Sequence, residues 1–237
     1  MAGKRKKIVV LSGAGISAES GIQTFRDSDG LWENYRVEDV CTPEALERNT
    51  ELVIGFYNQR LAQVLKAQPN PAHRALVELE SAYDVDIVTQ NIDDLHERAG
   101  SAKVLHLHGD IRKKRSQADP ADIRDIEPLE QGIRMGDVDR FGLQYRPHIV
   151  FFGEAVPNIE PAAKLVEMAD IVVIIGTSLN VYPAAGLMYY ARPDAKVYYI
   201  DPKAGEAKGL DKRVACIAEK AGKGVPEWVR HMLEDAE

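Results

Sequence analysis

Cysteine is nearly missing from this chain of 237 residues: there are two, Cys41 and Cys216, far apart in sequence. Neither stands beside a second thiol, which excludes a disulfide-built scaffold and any paired-cysteine redox or metal motif, and fits a reducing cytoplasm. Long hydrophobic runs are missing too. None reaches the roughly 18 residues that a bilayer-spanning helix needs. The N-terminal run Ile8-Val9-Val10-Leu11 is too short for a secretory h-region and leads straight into Ser12-Gly13. Nor is there an excess of positive charge. A formal net charge of −7 argues against non-specific nucleic-acid binding, which Lys and Arg drive. The one basic run, Lys4-Arg5-Lys6-Lys7, reads as a solvated tail before the first strand. No internal repeat or low-complexity linker interrupts the chain.

What is present is an ordinary globular composition, 45% apolar and 28% charged, long enough for one domain with a large lobe and a smaller insertion. Six β-branched runs read as buried strands: 8–11, 85–88, 104–107, 148–151, 171–175 and 197–200. Most lack polar/apolar alternation, as expected of strands covered on both faces. Helical patterns lie at 51–66, 71–83, 158–168 and 225–233, and Pro183 is placed to start another helix. Strands alternating with helices predict an α/β fold with a doubly wound, Rossmann-like parallel sheet. Residues 35–83 carry helices without strands, and residues 110–145 are charged with no clear period. Both are assigned to a smaller helical lobe beside a large lobe of about 1–34, 84–109 and 146–237.

Three short segments follow strand-like runs. Ser12-Gly13-Ala14-Gly15-Ile16-Ser17 is a turn predicted to need glycine's freedom at positive φ, with backbone N–H groups facing a dinucleotide pyrophosphate. A tight structural turn is the alternative. Thr89-Gln90-Asn91-Ile92-Asp93 sits where ligands bind in open parallel sheets, at the carboxyl end of a strand. Here the alternative is that Asn91 and Asp93 only cap the next helix. His106-Leu107-His108-Gly109 carries two histidines with the ordinary pKa for general-base work near neutrality, and side-chain direction alone does not separate them.

In this order and spacing the three segments resemble the active site of the sirtuins, NAD-consuming protein deacylases. The continuation Ala18-Glu19-Ser20-Gly21-Ile22-Gln23-Thr24-Phe25-Arg26, through Gly30-Leu31-Trp32, is similar to the family's cofactor loop. The resemblance implies NAD as co-substrate, held by Gly13, Ala14, Gly15, Ser17, Ser20, Phe25, Arg26, Gln90, Asn91, Ile92 and Asp93. Gly176-Thr177-Ser178, Asp201 and Ala221 would lie on the adenosine side. It implies His108, immediately before the glycine, as catalytic base, with Asn91 and Asp93 in the catalytic set and His106 structural.

Two further segments carry the substrate side of the resemblance. Tyr57-Asn58-Gln59-Arg60 sets a phenol and a guanidinium on one helix face. It resembles the Tyr-x-x-Arg pocket of the sirtuin class that removes acidic acyl groups, which implies action on succinyl- and malonyl- as well as acetyl-lysine. Arg146-Pro147-His148-Ile149-Val150-Phe151-Phe152-Gly153-Glu154 resembles the segment that pairs with the substrate backbone, so Val150, Phe151, Phe152 and Gly153 are expected at the peptide.

The chain also departs from the family pattern. Asp27-Ser28 replaces small alanines, and Asp201-Pro202-Lys203 reverses a usual charge. Residues 110–145 hold none of the four cysteines that bind a structural zinc. No metal is therefore expected, and Ile111, Ile123, Ile126, Leu129, Ile133 and Phe141 are expected to hold that lobe instead. The implied partners are acyl-lysine proteins or peptides, with no nucleic acid or membrane, and a monomer is the simplest assembly. ADP-ribosyl transfer or NAD hydrolysis on the same site is the alternative activity.

Overall fold

The computed structural model of the chain describes residues 5–23, 31–32, 35–178, 181–206, 210 and 212–236. In chain order the first elements are β1 (Lys7–Ser12), β2 (Leu31–Trp32), β3 (Tyr35–Arg36), α1 (Val37–Val40), α2 (Pro43–Arg48), α3 (Thr50–Lys66) and α4 (Pro71–Leu79). Then come β4 (Asp84–Thr89), α5 (Leu95–Ala99), β5 (Val104–His106), β6 (Gly109–Arg115), β7 (Ile123–Asp125), β8 (Arg146–Ile149) and α6 (Ile159–Glu167). The chain continues through β9 (Ile171–Ile175), β10 (Lys196–Ile200), β11 (Val214–Ile217) and α7 (Ala221–Glu234).

Six of the strands form one parallel sheet in the order β11-β10-β9-β1-β4-β5. This is the doubly wound arrangement, and its strand order reverses between β1 and β9. Alternate residues of each strand enter opposite cores. Ile8, Val10, Val85, Ile87, Val173 and Ile175 face α4 and α7, whereas Val9, Leu11, Val88, Val172 and Ile174 face α6 and the turn at 184–190. Burial on both sides explains why these strands are apolar without alternation. Each such side chain contributes about 1.5–3 kcal/mol.

Helix ends are set by local chemistry. Thr42 caps α2 by accepting from the Ala45 amide, with Pro43 at the first helical position. Asn49 caps α3 through the Leu52 amide, and Asn70 with His73 forms a reciprocal capping box on α4.

Several expectations are corrected. The run 148–151 is not a strand of the parallel sheet. Its observed counterpart, β8, belongs to a separate antiparallel sheet ordered β7-β6-β8, and the sixth parallel strand is β11. The smaller lobe is therefore not purely helical. β6 hid from the sequence pattern because its Gly-Asp-Ile-Arg-Lys-Lys-Arg run is charged and only half-buried. α4 packs with the parallel sheet, so the part of 35–83 from Pro71 onward shares the large lobe's core. In the small lobe Ile111, Ile126 and Ile133 are buried, with Leu129 partly so, but Ile123 and Phe141 are exposed.

Candidate functional site

The sheet's switch point lies between the carboxyl ends of β1 and β9, the place where a parallel α/β sheet leaves a crevice. Here the two following loops touch. The Gly13 amide donates to the Ile175 carbonyl at 3.0 Å and the Gly15 amide to the Gly176 carbonyl at 2.8 Å. A Cβ on Gly13 would meet the Thr177 Cβ at 2.8 Å, and one on Gly15 would meet the Gly176 backbone at 2.7 Å. The expected reason for these glycines is thus corrected. Gly13 has φ −126°, ordinary extended backbone, so close approach rather than positive φ requires glycine. Those two amides are also spent on β9 rather than presented to an anion. Positive φ occurs across the contact, at Gly176 (+61°), where a Cβ would strike the Ile16 nitrogen at 2.4 Å.

Above this floor lies a cleft with about 1350 Å³ of empty space, its open mouth included. Its lining brings together Gly13, Ala14, Gly15, Ser17, Gln90, Asn91, Ile92, Asp93, His108, Gly176, Thr177 and Ser178 with Arg60, Val150, Phe151, Phe152 and Gly153. Four expected residues do not line it. Ser20 accepts from the Asn70 side chain at the start of α4, and Asp201 is buried and accepts from the Lys203 amide. Ala221 is buried at the start of α7, while Tyr57 lies behind the wall with its hydroxyl 3.1 Å from the Cys41 sulfur. Phe25 and Arg26, with Asp27 and Ser28, lie outside the described residues.

The polar strip is internally wired. The Asn91 side-chain amide donates to the Ser17 hydroxyl at 3.1 Å, and that hydroxyl donates to Asp93 at 3.1 Å. Asp93 also accepts from the Leu95 amide, so it caps the following turn while serving the cleft. Burial pushes its carboxyl above the usual range, partly offset by these two donors. Gln90 reaches across to the Thr177 hydroxyl at 3.3 Å, joining the strip to the β9 loop.

The structure separates the two histidines where side-chain direction does not. His106 sets Nδ1 on the Asn91 carbonyl at 2.9 Å and Nε2 on the Glu97 carboxylate at 2.7 Å. Both partners are acceptors, an arrangement that favours the protonated ring. Burial alone would lower its pKa, but the Glu97 hydrogen bond and charge outweigh it and raise it. His108 sits in the bend between β5 and β6, with Nδ1 donating to the Gln90 carbonyl at 3.0 Å. Burial lowers its pKa, opposed by that one bond, so the ring is neutral at pH 7 and Nε2 carries the lone pair. Gly109 has φ +91°, and a Cβ there would lie 2.0 Å from the His148 carbonyl. Only glycine lets the chain turn from His108 into β6.

At the other end the cleft is apolar, with Ile22, Val64 and Phe151, and includes Arg60 and Cys41. Cys41 was not legible from sequence as a wall of this site, because nothing near it forms a motif and only the short α1 carries it there. Tyr182 and Pro183 also border the cleft without a sequence signal for that role, and so does Glu154, at the end of the 146–154 segment. Among the described residues no group of three His, Cys, Asp or Glu side chains is placed to hold a metal ion, and no helix is long and apolar enough to cross a membrane.

Residues 13–183 match the model of the Sir2 family. An NAD-dependent protein deacylase of Bacteroides thetaiotaomicron is 52% identical over 225 residues, covering 94% of this chain and 96% of its own. One from Helicobacter pylori is 50% identical over 231 residues, covering 98% and 99%. The crystal structure of a Sir2 homolog–NAD complex superposes with a TM-score of 0.87 at 38% identity, covering 98% of this chain and 91% of that one. The chain belongs to the Sir2 family.

Proposed function

We infer that this chain removes acyl groups from protein lysines in an NAD-dependent reaction, releasing nicotinamide and O-acyl-ADP-ribose, with acetyl-, succinyl- and malonyl-lysine as substrates. Family and relatives make it an NAD-dependent enzyme of the deacylase type. The carrying observation is His108, a neutral histidine on the cleft wall whose Nδ1 is tied to Gln90, leaving Nε2 as the basic nitrogen.

The residues present fit a dinucleotide. The Gly13–Gly15 turn and Gly176 keep the switch-point floor low, and Ser17, Gln90, Asn91, Asp93, Thr177 and Ser178 line it with polar groups. Bound NAD supplies the ribose carbon from which nicotinamide leaves. The chain's own part is to hold that ribose with Asn91 and Asp93 and to take up a proton at His108 Nε2. Ala14 and Ile92 shape the wall beside it.

Arg60 supplies a cation at the apolar end, which suits a carboxylate on the acyl group, and Tyr57 supports that end through Cys41. Val150, Phe151, Phe152 and Gly153 meet the peptide. The targets are proteins of the cytoplasm, and no zinc is required, since residues 110–145 contain no cysteine.

Turnover of acetyl-, succinyl- and malonyl-lysine peptides by wild type and Arg60→Met tests this. The wild type should act on all three. The variant should lose roughly tenfold or more on the two acidic groups, the worth of a charge-assisted hydrogen bond, and keep acetyl turnover. Full nicotinamide release without any acyl peptide would instead identify an NAD hydrolase.

A further inference from the structure

The segment after β8 is held by a device that the reaction itself does not call for. Glu154 follows residues 150–153, and its carboxylate receives two guanidinium groups. Arg146 donates to it at 2.6 and 3.1 Å, and Arg115 at 3.1 and 3.0 Å. The same carboxylate accepts from the Phe151 amide at 2.7 Å, while the Glu154 amide donates back to the Phe151 carbonyl at 3.1 Å. Arg146 is buried, and its second arm also donates to the Ile149 carbonyl at 3.0 Å.

Arg146 does more than balance charge. Its guanidinium stands 3.7 Å from the centre of the Phe151 ring, a close cation–π contact, and Tyr57 stacks on Phe151 with ring centres 5.7 Å apart. One connected chain therefore runs from Arg115 through Glu154, Arg146 and Phe151 to Tyr57, and by the Tyr57 hydroxyl to Cys41. The flanking amides are tied down as well: Val150 donates to the His108 carbonyl at 2.9 Å and Phe152 to the Cys41 carbonyl at 3.0 Å. Three successive amides thus point into the protein, and Gly153 with φ +89° lets the chain turn back to Glu154.

Glu154 borders the cleft, but its hydrogen bonds go to the arginines and the Phe151 backbone and not to His108. Its carboxylate is nonetheless placed to decide how rigidly the loop is presented. An extended peptide gains from main-chain pairing only if the receiving segment is already ordered, because otherwise binding must also supply that ordering. A bidentate ion pair, mostly shielded from water and joined to a third donor on the backbone, orders a loop more firmly than a surface pair does.

We propose that Glu154, clamped by Arg146 and Arg115, is a positioning residue for substrate: it preorganises the 150–153 segment so that an acyl-lysine peptide docks without ordering the loop. This rests on the reading of that segment as the peptide's partner. The clamp acts on peptide affinity and not on the NAD side of the cleft, which is built from the loops after β1, β4 and β9.

Glu154→Gln keeps the size of the side chain and an acceptor for the Phe151 amide but removes the charge that holds both arginines. Its KM for an acetyl-lysine peptide should rise roughly tenfold, with KM for NAD and kcat at saturating peptide within about twofold of wild type. Hydrogen exchange at the amides of residues 150–152 should quicken in the same variant, with the strands of the parallel sheet unchanged. An unaltered peptide KM with unaltered exchange overturns the proposal, as does an equal rise in both KM values, which would mean general loss of folded enzyme. If that variant does not fold, Arg115→Gln, which leaves the Arg146–Glu154 pair, should show the same split at smaller size, and no split overturns it. Faster exchange at 150–152 without any change in peptide KM would keep the clamp and refute the segment's role in peptide binding.

Discussion

The two sheets of this molecule are stabilised by opposite means. The parallel sheet has an apolar centre: Val9, Val10, Val172 and Val173 are wholly buried, and apart from Asp86, paired with Lys7, its buried polar groups gather at the strand ends. The antiparallel sheet β7-β6-β8 is held largely by charge and hydrogen bonds. Arg112 binds both Asp110 and Asp94, Lys114 binds Asp137, and the Asp139 carboxylate accepts from Ser116 and from the Phe141 and Leu143 amides. A core that excludes water leaves strand ends precisely placed, which suits a reaction centre. A polar lobe with few aliphatic residues has to fix each turn with a named partner, and it does so without any cysteine.

The sharpest way to separate the regions is at the reaction centre. His108→Ala should lower turnover by about 10²- to 10⁴-fold, the usual range for a general base, while NAD binding measured by calorimetry changes little. Unchanged turnover would move the base elsewhere. With wild type, the acid limb of kcat/KM should fall below pH 6.5, because burial lowers the His108 pKa.

Acid should break the large lobe's core next. His73 is fully buried, its pKa is lowered to about 4 by burial, and its ring meets that of His96, whose pKa burial also lowers. A histidine with a depressed folded pKa favours the unfolded state once it is protonated. Its stabilising share is complete above pH 6.5 and is lost as pH falls from there toward 4. For His73 alone the loss reaches about 3 kcal/mol at the acid end. Urea unfolding between pH 7 and 4 should be less pH-dependent in His73→Gln than in wild type; equal slopes would contradict this.

A steric change at the switch point should cost somewhat less. Gly15→Ala puts a methyl 2.7 Å from the Gly176 backbone, so the two loops must part, at about 1–3 kcal/mol of stability with weakened NAD binding. A variant with wild-type melting and NAD affinity would show the contact to be slack.

The smallest effect belongs to the polar lobe. Asn58 brackets Ile133, donating to its carbonyl at 2.9 Å and accepting from its amide at 2.9 Å. Asn58→Ala should cost about 1–2 kcal/mol and free the 132–133 turn to hydrogen exchange, with the parallel sheet's amides unmoved. Exchange rising in both sheets would mean that the lobes unfold as one.

Much of the large lobe was legible because a strand buried on both faces has to be apolar: runs 8–11, 85–88 and 171–175 all stand in the parallel sheet. The exception is instructive. The run at 148–151 has the same composition, yet its observed strand β8 pairs with β6, since composition reports burial and not partner. β6 itself was missed because half-burial and paired charges leave no period to read. At the site the order of glycine turn, strip and histidine was visible, but Cys41 and Glu154 were not. Their places depend on contacts that no local pattern reveals, Phe152 to Cys41 across about a hundred residues and Arg115 to Glu154 from another strand.

The sequence by itself determined the strand–helix rhythm, the chemistry available at three strand ends and the lack of thiolates for a metal, because these depend on residue type and near neighbours. Tertiary structure decided which histidine nitrogen lacks an acceptor partner, why Gly13 and Gly15 are glycines, and which side chains hold the 150–153 segment. Each of those is settled by a partner outside the local segment: the Gln90 carbonyl against His108, the Gly176 backbone against Gly15, and Arg115 against Glu154.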